Sequence, residues 1–153
     1  MKITFKKGGG VKHTKTNKFR QFIAQKGLKS TRQRDIILDC FLSSSRHISI
    51  EELYLKLRTK NPNIGYATVY RTLKLFAESG IAREIQFGDG QTRYEHANEG
   101  EHHDHLVCTR CGTIIEFENE TIEQLQQDVA AAHGFQIENH KLELYGVCAK
   151  CKA

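Results

Sequence analysis

The sequence predicts an α+β chain in two parts: an N-terminal winged helix-turn-helix domain, then a small α+β domain held by a structural zinc. Three observations predict it. Amphipathic helical segments are followed by a glycine-turned hairpin, the element order of a winged helix-turn-helix. Charge divides along the chain: residues 1–80 carry 17 Lys and Arg against 5 Asp and Glu, and residues 81–153 carry 6 against 13. Finally, the second part holds two Cys-x-x-Cys pairs, Cys108/Cys111 and Cys148/Cys151. Each brings two thiolates within reach of one tetrahedral zinc.

The elements follow in order. Residues 1–16 are Lys-rich with Gly8-Gly9-Gly10 inside, and read as a disordered basic tail. A first helix covers Lys18 to Lys26 and ends at Gly27. A second starts at Ser30, where Ser30-x-x-Gln33 fits a capping box, and carries a stripe of Ile36, Ile37, Cys40 and Phe41. A third starts at Ser49, with Ser49-x-x-Glu52 as another capping box and Leu53 and Leu57 at helical spacing, and Asn61-Pro62-Asn63 ends it. The fourth runs from Tyr66 to Ser79 with Val69, Leu73 and Phe76 inward. Arg83–Phe87, Gly88-Asp89-Gly90 and Gln91–Glu95 form the wing. The domain boundaries are then 17–96, a polar hinge at 97–101, and 102–153. In the second domain, residues 102–107 and 113–117 read as strands, Asn119–His133 as a helix, and Phe135–Val147 as a long alternating strand.

Composition narrows the function. Hydrophobic residues make up 39% of 153, enough for a packed core, but a small second domain needs a staple. No apolar run approaches the roughly 18 residues of a membrane span, and the basic N-terminus lacks a signal peptide's apolar stretch. A cytoplasmic protein without a membrane partner is expected. In that compartment paired cysteines read as metal ligands rather than disulfides. The basic half is an electrostatic footprint for a polyanion. No nucleophile motif and no glycine-rich phosphate loop suggests an enzyme or a small organic substrate. A metallohydrolase would need an open metal position and a general base. A metal-storage protein would explain the ligands but not the basic helices.

The 36 residues between the two Cys-x-x-Cys pairs must contain folded structure, since this gap exceeds the usual spacing of about 15–20. Cys40, within an apolar stripe, reads as a small buried hydrophobe. In the run His102-His103-Asp104-His105, strand alternation sends His103 and His105 to one face and His102 and Asp104 to the other, so one strand can serve two metal sites. His13, His96 and His133 read as incidental. The fourth helix is the DNA reader. Tyr70 can touch a thymine methyl, and Arg71 can reach guanine or phosphate.

The segments Gly65-Tyr66-Ala67-Thr68-Val69-Tyr70-Arg71-Thr72-Leu73 and His102-His103-Asp104-His105-Leu106-Val107-Cys108, with the terminal Cys-x-x-Cys, resemble the ferric uptake regulator family over roughly Lys18 to Cys151. The resemblance implies a homodimeric, metal-responsive repressor with an N-terminal winged helix and a C-terminal dimerisation domain. It implies structural Zn²⁺ on Cys108, Cys111, Cys148 and Cys151, and a regulatory metal on His47, Glu95, His103, His105 and Glu116. It implies an additional site from His102, Asp104, Glu123 and His140, and operator contacts from Lys29, Tyr70 and Arg71. The peroxide-sensing branch typically carries aspartates where this chain has Glu95 and Glu116. The glutamates favour Fe²⁺ as regulator and control of iron uptake genes, with Mn²⁺ or Zn²⁺ as possible substitutes. Sensing of peroxide, zinc or manganese is the rival expectation within the family.

Overall fold

In a computed structural model, the described residues are 9–44, 47–97 and 103–152. The chain divides into two compact units, one up to Asn98 and one from Glu99. Ala97 still belongs to the first, because its N–H donates to the Ile81 carbonyl at 2.9 Å.

The first unit opens with α1 (Gly9–Gln25). This corrects the expected tail: helix begins at Gly9, not Lys18, and only residues 1–8 lie outside the described residues at this end. Phe19 and Ile23 are buried and anchor the helix. With that nucleus fixed, each residue toward the N-terminus adds a hydrogen bond at little further cost. The helix is followed by Gly27 at φ 67°, a left-handed position that glycine adopts without strain. α2 (Arg32–Leu42) starts later than expected. Thr31, not Ser30, caps it, its side chain accepting from the Arg34 N–H at 3.3 Å. Gln33 is occupied elsewhere, donating to the Asn63 carbonyl at 3.3 Å.

β1 (Ile48–Ser49) leads directly into α3 (Ile50–Arg58). Here the capping box forms: the Glu52 N–H donates to Ser49 Oγ at 3.2 Å, and the Ser49 N–H donates to Glu52 Oε2 at 2.8 Å. α4 (Tyr66–Glu78) buries Val69, Thr72, Leu73 and Phe76. β2 (Ala82–Gln86) and β3 (Thr92–His96) make the wing, with Gly88 and Gly90 at positive φ in the turn. The two-residue β1, which the sequence pattern does not announce, pairs with β3 to give an antiparallel sheet of order β1-β3-β2. Phe19, Phe41 and Phe76 meet at the centre of the core, with the Phe19 and Phe76 rings edge-to-face at 4.7 Å.

The second unit has β4 (Asp104–Cys108) as its central strand, antiparallel to β5 (Ile114–Phe117) and parallel to β6 (Glu143–Gly146). α5 (Glu120–Ala132) is capped by Asn119, whose Oδ1 accepts from the Thr121 and Ile122 N–H groups at 3.0 and 3.2 Å. α6 (Ala149–Lys152) ends the described chain. The long strand expected over 135–147 is corrected to four residues. β4 is only five residues long and pairs with β6 from His105 to Cys108, with the Leu142 carbonyl accepting from the His105 N–H at 3.1 Å, so residues 135–141 have no strand to join. They line a groove of about 1040 Å³ beside α5 instead. Among the described residues no helix is long and apolar enough to cross a membrane.

Candidate metal centres and nucleic-acid interface

The four cysteines come together within the second unit. Cys108 ends β4, Cys111 follows in the turn to β5, Cys148 follows β6, and Cys151 lies in α6. All four Sγ atoms lie within 4.8 Å of one another, and Cys111 and Cys148 are 3.7 Å apart. Tetrahedral zinc with bonds of about 2.3 Å requires sulfur separations of about 3.8 Å, so these thiols fit that ion. The Cys148 N–H, 3.4 Å from the Cys108 sulfur, is the main reason the Cys108 thiol falls to about 6. The Cys151 thiol is pushed up to about 12, chiefly by its hydrogen bond with Cys111. A divalent cation replaces the protons such a cluster shares. Arg110 Nη1 donates to the Cys151 carbonyl at 2.7 Å and ties α6 to the turn.

Three of the four residues expected at an additional site also meet within this unit. Asp104, buried on β4, lies 3.9 Å from His140 Nε2, and Glu123 of α5 lies 3.3 Å from the same nitrogen. These three residues can hold an ion between them. His102 lies outside the described residues.

On the opposite face of β4, His105 stands directly across from Glu116 of β5. The His103 ring centroid lies 5.6 Å from that of His105, and its Nε2 is 3.8 Å from Glu116 Oε1. One end of this sheet thus gathers two imidazoles and a carboxylate.

The first unit holds the other expected regulatory residues. The β1–β3 register pairs Ile48 with Tyr94, and the next step of the ladder brings His47 opposite Glu95. His47 Nε2 lies 3.3 Å from Glu95 Oε2. Phe87, at the end of the wing's first arm, packs edge-on against the His47 ring at 5.5 Å.

Of the residues expected at DNA, Tyr70 and Arg71 of α4 are exposed to solvent on the face away from Val69 and Leu73. Lys29 is exposed in the loop before α2, its carbonyl accepting from Arg34 Nη1. Gly65 caps α4 without a side-chain hydrogen bond. Lys74 of α4 donates to Glu84 Oε1 on β2 at 2.7 Å, and the Tyr94 hydroxyl of β3 donates to the same oxygen at 3.0 Å. This network ties α4 to both strands of the wing.

Comparison with known proteins decides the family. The model of the ferric uptake regulator family matches residues 25–145. The chain belongs to the ferric uptake regulator family. It is 44% identical over 136 residues to the ferric uptake regulation protein of Campylobacter jejuni, covering 88% of this chain and 86% of the relative. It is 47% identical over 127 residues to that of Bordetella parapertussis, covering 82% and 91%. The structure of the Helicobacter pylori ferric uptake regulator, described as having three functional metal-binding sites, matches with a TM-score of 0.85 at 29% identity, over 100% of this chain and 98% of that one. A zinc-bound manganese uptake regulator matches with a TM-score of 0.72 at 42% identity, over 86% and 98%. As a member of the ferric uptake regulator family the chain is a metal-responsive, DNA-binding transcription regulator and not an enzyme, with the winged-helix and dimerisation-domain fold of that family.

Sequence reasoning missed three participants at these sites. Arg83, across the hairpin from Glu95, puts its Nε 3.0 Å from Glu95 Oε1. Phe87 braces His47, and Glu84 joins α4 to the wing. The hairpin pairing itself was the available signal: once the turn is centred on Asp89, Arg83 and Glu95 are cross-strand partners.

Proposed function

We propose that the chain is a homodimeric, metal-dependent repressor in the cytoplasm that binds double-stranded operator DNA when charged with Fe²⁺ and so controls iron uptake genes. The observation that carries the reading is the division of donors. The first unit offers His47 and Glu95, and the second offers His103, His105 and Glu116. Neither set alone is a full coordination shell for a first-row divalent ion. Five donors drawn from both units would share one ion, whose positive charge compensates the two carboxylates. His47 and Glu95 would then hold the winged helix in one orientation, and in a dimer that sets the spacing of two α4 helices against two half-sites. Metal affinity and operator affinity become reciprocally coupled.

The four cysteines are read as the permanent zinc site, because thiolates select zinc and all four belong to one unit. Asp104, Glu123 and His140, with His102, form the additional site. Lys29, Tyr70 and Arg71 contact DNA. A second copy covers the apolar face of the second unit: α5 buries no residue, and Leu125, Val129 and Phe135 are 58%, 62% and 75% exposed. Side chains of that size rarely stand together in water on a monomer.

Glutamates at Glu95 and Glu116 support iron over the peroxide-sensing alternative, and zinc or manganese remain the competing regulators. The test is operator binding titrated separately with Fe²⁺, Mn²⁺ and Zn²⁺ on protein that retains its cysteine zinc, with bound metal counted. Fe²⁺ is expected to raise operator affinity at the lowest free-metal concentration relative to its availability. Operator affinity that is the same with and without added metal sinks the reading.

A further inference from the structure

We propose that Arg83 is a positioning residue of the regulatory half-site that restricts Glu95 to one donor oxygen and thereby biases the site against Mn²⁺. The inference rests on the reading of Glu95 as a regulatory ligand and deepens it.

The geometry is a row across three strands. β3 lies between β1 and β2, and Glu95 of β3 has His47 on one side and Arg83 of β2 on the other. The carboxylate is divided between them. Oε2 faces His47 Nε2 at 3.3 Å, and Oε1 faces Arg83 Nε at 3.0 Å. The Glu95 side chain is 5% exposed, whereas that of Arg83 is 49% exposed. A buried carboxylate requires a compensating charge or hydrogen bonds, and a guanidinium supplies both without ever losing its proton. Arg83 is therefore suited to hold Glu95 in place before any ion arrives.

The consequence concerns denticity. With Oε1 engaged by Arg83, Glu95 presents Oε2, the oxygen on the imidazole side, as its single donor. Ions differ in what this removes. Zn²⁺ is satisfied by four ligands and one carboxylate oxygen, and imidazole suits it. Mn²⁺ favours carboxylate oxygen and fuller coordination, so it loses more when a carboxylate is limited to one atom. Arg83 also places a fixed positive charge beside the site, which weakens every divalent ion. The denticity effect is the part that discriminates between ions.

The experiment uses the full-length protein with its cysteine zinc intact, in four forms: parent, Arg83→Gln, Arg83→Lys and Glu95→Ala. Mn²⁺ affinity is measured by electron paramagnetic resonance of the free ion, Zn²⁺ affinity by competition with a chelator, and thermal stability of the protein before regulatory metal is added. Outer-shell partners of metal ligands typically change affinity by about 10–100-fold. Arg83→Gln is expected to raise Mn²⁺ affinity relative to Zn²⁺ by about tenfold, the low end of that range. Arg83→Lys, which retains a cation on Oε1, should keep the parental ratio. If Arg83→Gln lowers both affinities equally, or only lowers thermal stability, Arg83 is a hairpin brace and the inference is overturned. If Arg83→Gln leaves the ratio unchanged while Glu95→Ala weakens both ions, the inference again fails but Glu95 stands as a ligand. If Glu95→Ala changes neither affinity, the ligand reading itself fails and takes the inference with it.

Discussion

Replacing Cys111 with serine removes one of four sulfurs from the cysteine cluster, and the structure says how much depends on it. The first unit has a core of its own built on Phe19, Phe41, Phe76 and their neighbours. Among the described residues of the second unit, Val107 and Cys108 are the only buried apolar side chains. Full burial of a side chain such as valine contributes about 1.5–3 kcal/mol. Structural zinc in small domains contributes roughly 10–16 kcal/mol of apparent binding energy at neutral pH. A zinc held by the cluster would therefore outweigh the fully buried apolar side chains within one copy of this unit. It also joins what the backbone only partly joins, since β6 meets β4 over four residues. Cys111→Ser is expected to lose zinc, unfold the second unit and abolish the dimer, while the first unit persists and melts separately. Zinc content by elemental analysis, sedimentation and calorimetry read these outcomes, with Cys40→Ala as a cysteine substitution that should leave zinc in place. A Cys111→Ser protein that stays dimeric with unchanged thermal stability would falsify the structural role of the cluster.

Three further outcomes are expected. Arg71→Ala should weaken operator binding by about 1–3 kcal/mol if the side chain reads a base bidentately, and a folded, metal-loaded variant with normal operator affinity removes Arg71 from the interface. His47→Ala should leave the cysteine zinc, fold and dimer intact but weaken regulatory metal and metal-activated operator binding together, as linkage requires, whereas His13→Ala on α1 should change neither. A normal metal titration with normal activation in His47→Ala refutes the shared site. Glu84 is held below the usual carboxylate range, chiefly by the Lys74 ammonium that donates to it. A lowered folded pKa means its contribution is complete above the ordinary carboxylate pKa and is lost as pH falls through the lowered one. Glu84→Gln should therefore be less stable than the parent at neutral pH, with the gap closing in acid. A gap that is constant across acid unfolding curves contradicts the Lys74–Glu84 account.

How much of this was legible in the sequence depended on how local the signal was. The Ser49 capping box, the α4 stripe and the Gly88-Asp89-Gly90 turn are decided within a few residues, and each forms. Ser30 failed as a cap because Thr31, which can also cap, stands next to it and Gln33 found a partner in the Asn63 carbonyl, a contact 30 residues away in sequence. The long strand over 135–147 failed because alternation reports one-sided burial, not strand pairing. Residues 135–142 line the groove beside α5 instead of pairing with a strand over their length. The helix from Gly9 was hidden by composition. Lysines and glycines argue for a tail, but Phe19 and Ile23 downstream supply the anchor.

The candidate sites divide in the same way. Cys-x-x-Cys spacing and strand alternation in His103-Asp104-His105 are local, so the thiolate cluster and the two faces of β4 could be anticipated from the residues themselves. His47 had no such signal: it could be named only through family resemblance. The reason is β1, two residues long and too short to leave a pattern, yet sufficient to bring His47 beside Glu95. That difference has a functional counterpart. Four thiolates within one unit form a site that persists as long as the unit is folded. Donors divided between two units, as proposed for His47 and Glu95 with His103, His105 and Glu116, give a site whose affinity depends on how the units are arranged. Under the proposed function such a site would report metal to DNA, because the same arrangement would set the spacing of the two α4 helices. On that proposal sensing would depend on His47, the residue hardest to place from sequence, and His47→Ala tests this most directly, since it leaves the local signals in place and removes the long-range one.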